Sequence, residues 1–367
     1  MNKNKLSISD FSQYLSNHGW IMAFELEYSV TWRKFQRGEF IGEITLPKEN
    51  TRDKDSSIDF ALMRLSEIEN IPKEKLHSAI INQHSDNLFI RVVDDSVKNG
   101  TIPLSDGVLL FEKAQGLIRA LAQSTRHKQA YFKTSSGGKN VSEFMNQVRL
   151  GQTQIGSYII NLCYPVENIV SAQQTELTKS ISFSRSVTHN LFNSLDKLKS
   201  TIKNYNDNPT LFAKLIPEGV SHNLCAALVG LSGENKQREV EITLNAGEIE
   251  DSSMDTSSFS ISFTPSEIDV VSIAAKYYQG EYILSKYDVI GKITELHSRE
   301  PTQGGYIIIP CKVERKSVEV RIDLNAEQYK LANKYHTEEK EVICKGKDLH
   351  INKKSGRLQK LLEFNHL

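Results

Sequence analysis

The densest group of hydrogen-bonding side chains in this sequence lies between residues 149 and 158. Its polar members are Arg149, Gln152, Thr153, Ser157 and Tyr158. Gly151 and Gly156 lie in the same stretch and favour a tight turn that would bring these side chains together. The glycine spacing does not fit the dinucleotide-binding fingerprint, which also requires a helix directly after the glycines. The segment is either an ordinary hairpin turn or a binding site for a polar ligand.

A second glycine-containing stretch, residues 134–140, has the composition of a phosphate-binding loop. Backbone N–H groups at Gly137 and Gly138 could surround an anion, and Lys139 would add positive charge. The P-loop spacing G-x-x-x-x-G-K-[ST] is absent, because Lys139 is followed by Asn140. Small polar residues over 133–142 are more typical of a flexible linker.

Motifs for catalysis or metal binding are missing from the sequence. There is no H-E-x-x-H, H-x-H or G-x-S-x-G pattern. The four cysteines lie far apart and form no C-x-x-C pair, so neither a zinc site nor a disulfide framework is expected. Paired acids such as Asp94 and Asp95 fall in predicted turns. We therefore predict no catalytic residue, no metal and no cofactor.

The pattern of predicted helices and strands that would position these residues indicates an α+β fold in a multi-domain chain. Helical apolar spacing alternates with aromatic and β-branched runs over an N-terminal α+β domain at 1–132. We expect its first strand over Trp20–Trp32. A central α+β domain at 143–283 begins with two strands between Phe144 and Leu162. It ends with a helix whose start carries the capping pair Thr264 and Pro265.

From Tyr287 to the C-terminus the sequence changes to short β-runs. The alternation is strictest in Lys316–Leu324, where Val318, Val320 and Ile322 are apolar. A single helix capped by Asn325 separates three predicted strands from two more. This order resembles the OB-fold, a five-stranded barrel with one helix between its third and fourth strands. The resemblance implies a C-terminal, all-β OB-like barrel over 287–367.

The resemblance also implies a ligand class. OB-folds bind single-stranded nucleic acid or oligosaccharides on the face of their second and third strands. The nucleic-acid-binding residues that it implies are Tyr306, Lys312, Arg315, Lys316 and Arg321. Residues 289–367 contain fifteen Lys or Arg and eleven Asp or Glu, and this net charge of +4 favours phosphate. Tyr306 is the only aromatic side chain expected on that face, whereas single-strand binders usually offer several.

The length, net charge and apolar runs of the whole chain limit these hypotheses. It has 367 residues, enough for two or three domains, and a net charge of zero, which disfavours a protein that coats nucleic acid with its entire surface. The sequence contains no apolar run long enough for a bilayer and its N-terminus lacks the pattern of a secretory signal. We expect a cytoplasmic protein.

Three functions stay open at this point. The first is a non-enzymatic, bacterial-type protein that binds nucleic acid, or joins a nucleic-acid-handling complex, through the C-terminal barrel. The second is a protein–protein scaffold or adaptor that uses the barrel to contact other subunits. The third is an enzyme whose site, near Gly151–Tyr158, is assembled from residues distant in sequence.

Overall fold

The computed structural model describes residues 6–94, 97, 101–133, 137–151, 158–166, 182–247, 258–314 and 316–367. Helices and strands each account for a large part of these residues, and the α+β class is confirmed. None of the helices within these ranges combines enough length and apolarity to cross a membrane.

The N-terminal elements form a three-stranded antiparallel sheet and three helices. They are α1 (Ile8–Asn17), β1 (Trp20–Glu25), β2 (Ser29–Gln36), β3 (Glu39–Pro47), α2 (Lys54–Glu69) and α3 (Lys73–Asn82). The single strand predicted over Trp20–Trp32 is wrong. The chain turns at residues 26–28, where the Leu26 N–H donates to the Ser29 carbonyl at 2.8 Å and starts a hairpin. One buried cluster within residues 6–80 packs these elements together.

The middle of the chain contains a five-stranded sheet and most of the helices. Its elements are β4 (Ser85–Val93), α4 (Leu104–Arg126), α5 (Gly138–Gln147), β5 (Arg149–Leu150), β6 (Tyr158–Pro165), α6 (Phe183–Lys203), a 3-10 helix (Pro209–Leu215), α7 (His222–Leu231), β7 (Glu239–Asn245), β8 (Ser258–Phe263) and α8 (Pro265–Gln279). The strands lie in the order β5-β6-β4-β7-β8.

Helix α5 corrects two predictions. Residues 144–147 were expected to begin a strand, and residues 138–142 were expected to belong to a linker, yet both are helical. Val141 and Phe144 are both buried, and a helix brings residues three apart onto one side. The strand prediction failed because this apolar spacing is too short to distinguish the two periods.

The C-terminal elements follow the predicted order of three strands, one helix and two strands, with one strand divided. They are β9 (Glu281–Lys292), β10 (Glu295–His297), β11 (Gly305–Val313), β12 (Lys316–Leu324), α9 (Ala326–Thr337), β13 (Glu341–Asn352) and β14 (Ser355–His366). The Asn325 side chain accepts from the Gln328 N–H at 2.9 Å, so the predicted cap of α9 is confirmed.

These strands form one six-stranded sheet in the order β10-β11-β12-β14-β13-β9. Strands β12 and β14 pair parallel, and the other pairs are antiparallel. A closed barrel is not found, because β10 and β9 stand at the two ends of this order. The chain passes from β9 to β10 through Ile293 and Thr294, and the Thr294 N–H donates to the Ile308 carbonyl at 3.0 Å.

Contacts within the chain define two compact units. Unit 1 contains the described residues of Met1–Asn87, Cys163–Ser182 and Leu244–Ser258, and unit 2 those of Leu88–Leu162, Phe183–Thr243 and Phe259–Leu367. The three domains predicted from the sequence, at 1–132, 143–283 and 287–367, stay a prediction.

Candidate nucleic-acid interface

Alternation along β11 and β12 decides which predicted residues share a face. Ile307 and Ile309 are buried, so Tyr306 and Lys312 lie on the opposite, solvent-facing side of β11. On β12 the buried positions are the even-numbered ones, which places Arg321 on the solvent side. Register confirms that they share this face, since Tyr306 pairs with Asp323, and Ile308 with Arg321.

The face is less complete than the resemblance implied. Lys316 has the parity of the buried Val318 and Val320, so it starts β12 on the other side of the sheet, where it is exposed. Lys312 is six residues from Tyr306 along β11, a separation of about 20 Å in a strand. Arg315 lies outside the described residues. Of the five predicted side chains, the structure brings Tyr306 and Arg321 together.

Tyr306 has a planar neighbour on each side of its ring. The imidazole of His297, on β10, stacks on it with 4.7 Å between ring centroids and 17° between planes. The guanidinium carbon of Arg321, on β12, lies 3.8 Å from the Tyr306 centroid. Strands β10 and β12 flank β11, so the two groups approach from opposite sides. A ligand on this face therefore meets His297 and Arg321 beside the partly buried phenol.

A carboxylate ties two arginines together beside this ring. Arg321 donates from Nη2 to Asp323 at 2.9 Å, and Arg357, on β14, donates to the same carboxylate at 2.7 Å. Parallel pairing of β12 with β14 makes this possible, because it sets Arg321 directly opposite Arg357. We call His297, Tyr306, Arg321, Asp323 and Arg357 the Tyr306 cluster.

The electrostatics of the Tyr306 cluster are close to balanced. Partial burial alone would raise the pKa of Asp323, but hydrogen bonds and positive charge from Arg357 and Arg321 outweigh it and hold that pKa below its ordinary value. The carboxylate is therefore ionised at neutral pH and offsets one of the two arginines. Glu295 lies 2.8 Å from the His297 imidazole and adds a second acid at the margin.

Further cations lie towards the turns at the other end of the sheet. Lys353 and Lys354 form the turn between β13 and β14, and the Glu319 N–H donates to the Lys354 carbonyl at 3.0 Å. Lys312 and Lys316 stand at the neighbouring turn between β11 and β12. Within the described residues, none of these four lysines forms an ion pair, so the charge at this end is open to an anionic ligand.

The polar segment at 149–158 is only partly described. Gln152, Thr153 and Ser157 lie outside the described residues. The Arg149 guanidinium donates to the carbonyls of Asn146, at 2.5 Å, and Val148, which satisfies the C-terminal end of α5. Tyr158 instead contacts the Phe111 ring edge-on at 6.4 Å. The described contacts give Arg149 a helix-capping role.

The cysteines and acids are the other candidates for reactive chemistry in the described part of the chain. All four cysteines are free thiols, and burial raises the pKa of Cys344 to about 12 and that of Cys225 further. Within the same residues, no cluster of three or more His, Cys, Asp or Glu could hold a metal ion.

Comparison of the chain with protein-family models, with curated protein sequences and with solved structures finds no match. The function is therefore inferred from the chain's own residues.

Sequence reasoning missed His297, Asp323 and Arg357. Alternation in β12 places Asp323 on the same side as Arg321, and this signal was available. Arg357 lies 36 residues after Arg321, on a strand that pairs parallel to β12. No local sequence pattern predicts that these two strands are neighbours.

Proposed function

We propose that this chain is a non-enzymatic, cytoplasmic protein that binds single-stranded nucleic acid through its C-terminal sheet, alone or within a nucleic-acid-handling complex. The observation that carries the proposal is the Tyr306 cluster, in which planar imidazole and guanidinium groups lie on a solvent-facing sheet beside a second arginine. Guanidinium and aromatic planes stack on bases of any sequence, and arginine also pairs with phosphate.

The strand order supports an OB-type topology for this region. Strands β9 and β10 are the two edge strands of the sheet, yet they are consecutive along the chain and only two residues separate them. Strands β12 and β14 pair parallel, and the chain forms α9 and β13 between them in sequence. On this topology β11 and β12 are the second and third strands, and they carry the Tyr306 cluster.

The positions of the charged side chains suggest how a nucleic-acid strand would lie on the sheet. Arg321 is 44% exposed and Arg357 is 53% exposed at the side chain, so both can turn from Asp323 towards phosphates. Lys312, Lys353 and Lys354, at the turns, would then meet the nucleic-acid backbone further along. Because base stacking and phosphate contact dominate, we expect little sequence preference and a strong dependence on salt.

The test is fluorescence anisotropy with labelled single-stranded DNA and RNA of one sequence, measured at low and high salt. The variant Arg321→Gln with Arg357→Gln removes two charges and keeps two long polar side chains. We expect about tenfold weaker binding at low salt, and a slope of log K against log salt smaller by about 1.4, since each contact to a single strand contributes about 0.7.

The matched control is Arg33→Gln with Arg64→Gln, which removes the same net charge from two ion pairs in unit 1, Arg33–Glu43 and Arg64–Glu67. It should bind like the wild type. No binding by the wild type at low salt, or equal loss in both double variants, would refute a site at the Tyr306 cluster.

A second candidate function, protein–protein contact, is favoured by the edge strand β1. Ile21, Met22 and Phe24 are exposed by 62%, 54% and 41%, and β1 pairs only with β2 among the described strands. Exposed apolar edge strands are ready to pair with another chain. A second copy of this chain is the partner that best fits, because identical edge strands can pair antiparallel about a two-fold axis.

Light scattering after size-exclusion chromatography at several concentrations tests this candidate. We expect the wild type to shift towards a dimer with concentration, and Met22→Lys to stay a monomer because a lysine would have to lose solvent in the contact between the two copies. Leu104→Lys, at an apolar side chain that is 84% exposed elsewhere, is the control and should dimerise. A wild type that is monomeric throughout would exclude this pairing.

A further inference from the structure

Unit 2 contains a cleft of about 570 Å³ that is separate from the Tyr306 cluster. Four segments line it: residues 205–209, helix α8, and the strands β9 and β13. Its volume is within the range of about 300–1,000 Å³ found for small-ligand sites. We call it the Tyr205 cleft.

Apolar side chains form much of the wall. Pro209, Ile273, Ile283 and Ile351 line the cleft together with the Tyr205 ring. Phe212 stacks on one face of that ring, with 5.4 Å between centroids and 17° between planes. Tyr205 itself lines the cleft, so a ligand would meet a ring that is already held in place by its packing on Phe212.

Charges of both signs line the same cleft without neutralising each other. Lys276 supplies an ammonium group, and Asp207 and Glu281 supply carboxylates. Within the described residues, none of the three forms an ion pair at 4.0 Å or less, although all three line one cleft. Burial and, second, the Asp207 carboxylate raise the pKa of Tyr205, which keeps its phenol a hydrogen-bond donor.

We propose that the Tyr205 cleft binds a zwitterion with an apolar side chain, either a free amino acid or a short peptide. Its carboxylate pairs with Lys276, its ammonium group pairs with Asp207 and Glu281, and its side chain packs on the isoleucines and Tyr205. Such a ligand meets both kinds of unpaired charge at once, which a ligand of one sign cannot do. This inference is independent of nucleic-acid binding.

The balance of charge argues against a nucleotide at this site. Two carboxylates and one ammonium give the Asp, Glu and Lys side chains of the cleft an excess of one negative charge. A phosphate group would therefore meet net repulsion, whereas a zwitterion would not. Adenosine monophosphate is accordingly the comparison ligand in the test.

Isothermal titration of the full chain with four probes tests the proposal. The probes are leucine, the tripeptide Ala-Leu-Ala, the same tripeptide with acetyl and amide caps, and adenosine monophosphate. We expect binding of leucine or the uncapped tripeptide, and which of them binds more tightly identifies the source. The capped peptide should not bind, and any binding of the nucleotide should be unchanged by Lys276→Met, because the Tyr306 cluster can also bind a base and a phosphate. Equal binding of capped and uncapped peptide, nucleotide binding that Lys276→Met alters, or no binding of either zwitterion would overturn it.

Two variants locate the site. Lys276→Met and Asp207→Asn should each weaken binding about tenfold by removing one charge-assisted contact. Asp207 has a φ of 53°, a conformation that asparagine also tolerates, so this variant should fold. The control is Lys197→Met, at an exposed lysine of α6 that does not line the cleft. Unchanged affinity in both cleft variants, with wild-type thermal unfolding, would contradict the assignment.

Discussion

Asp323 decides how much positive charge the Tyr306 cluster presents to solvent. One carboxylate serves two guanidinium groups, from Arg321 and Arg357, so each arginine is only partly neutralised. The arrangement keeps both arginines on the face and prevents them from repelling each other. A nucleic-acid strand would compete with Asp323 for the same donors.

The first prediction concerns the stability that Asp323 provides. Its pKa is lower in the folded state than in the unfolded chain, so its contribution is present above the ordinary Asp pKa and disappears as pH falls through the folded-state value. Asp323→Asn should lower the free energy of unfolding at neutral pH by about 0.5–1 kcal/mol, since the group is 44% exposed and screened by solvent.

Urea unfolding at neutral pH and at a pH well below the ordinary Asp pKa measures this. The difference from the wild type should vanish at the acid pH. Asp348→Asn, at an exposed residue of β13 with a φ of 56° and no ion pair among the described residues, is the control. A cost that is the same at both pH values would show that the charge of Asp323 is not its source.

Arg238 is more deeply buried than either arginine of the Tyr306 cluster. Its guanidinium donates to Asp94 at 2.6 Å and to Asp106 at 2.5 Å, with only 11% of its side chain exposed. It thereby joins the chain before β7 to the end of β4 and the first turn of α4. Such a pair is costly to break, because the carboxylates stay partly buried without their counter-charge.

We therefore predict that Arg238→Met lowers the free energy of unfolding by about 3–5 kcal/mol. Arg238→Lys keeps the charge but lacks the planar fork that reaches two carboxylates, so it should be intermediate. Urea unfolding monitored by circular dichroism measures both. A methionine variant as stable as the wild type would mean that Asp94 and Asp106 find other compensation.

At the scale of elements, the start of α8 shows local sequence and tertiary contact acting together. Thr264 accepts from the Glu267 N–H, and the Glu267 carboxylate accepts in return from the Thr264 N–H at 2.9 Å. Lys199, on α6, donates to the same carboxylate at 2.6 Å. The capping box is readable in the sequence, whereas its lysine partner, 68 residues away, is not.

Removing the cap should cost about 1 kcal/mol of unfolding free energy, the usual value for an N-cap threonine. The variant is Thr264→Ala, with Thr264→Ser as the control that retains the hydroxyl and should be close to the wild type. Chemical denaturation with circular dichroism measures the difference. Equal losses in both variants would point to the methyl group of Thr264 rather than to its cap.

At the scale of the whole molecule, the N-terminal elements stand out because their core is local in sequence. Every member of the cluster that includes Phe11, Leu15, Ile44, Leu65 and Ile80 lies within residues 6–80. A contiguous segment with its own core is a candidate for independent folding, even at this small size.

We predict that a fragment ending at residue 84 unfolds cooperatively on its own. Gln83 should be included, since its side chain donates to the Asp10 carbonyl at 2.7 Å. Leu65→Ala, at a fully buried position, should destabilise the fragment by about 2–5 kcal/mol. Calorimetry and circular dichroism measure both; a broad, non-cooperative transition would show that the segment needs the rest of the chain.

Sequence by itself determined the features that depend on near neighbours. The strict alternation of β12, the caps of α8 and α9, and the order of the C-terminal elements follow from periodicity and capping within a few residues. Where the local signal was short, as at Val141 and Phe144, strand and helix could not be separated and the prediction was wrong.

Only the tertiary structure decided which side chains meet. Tyr306 was predicted as the one aromatic side chain on the ligand-binding face, and the pairing of β10, β11 and β12 places it between His297 and Arg321. Arg357 joins the cluster through parallel pairing, and the Tyr205 cleft gathers residues from 205 to 352. Such contacts depend on strand register and on long-range packing, and neither leaves a periodic trace in the sequence.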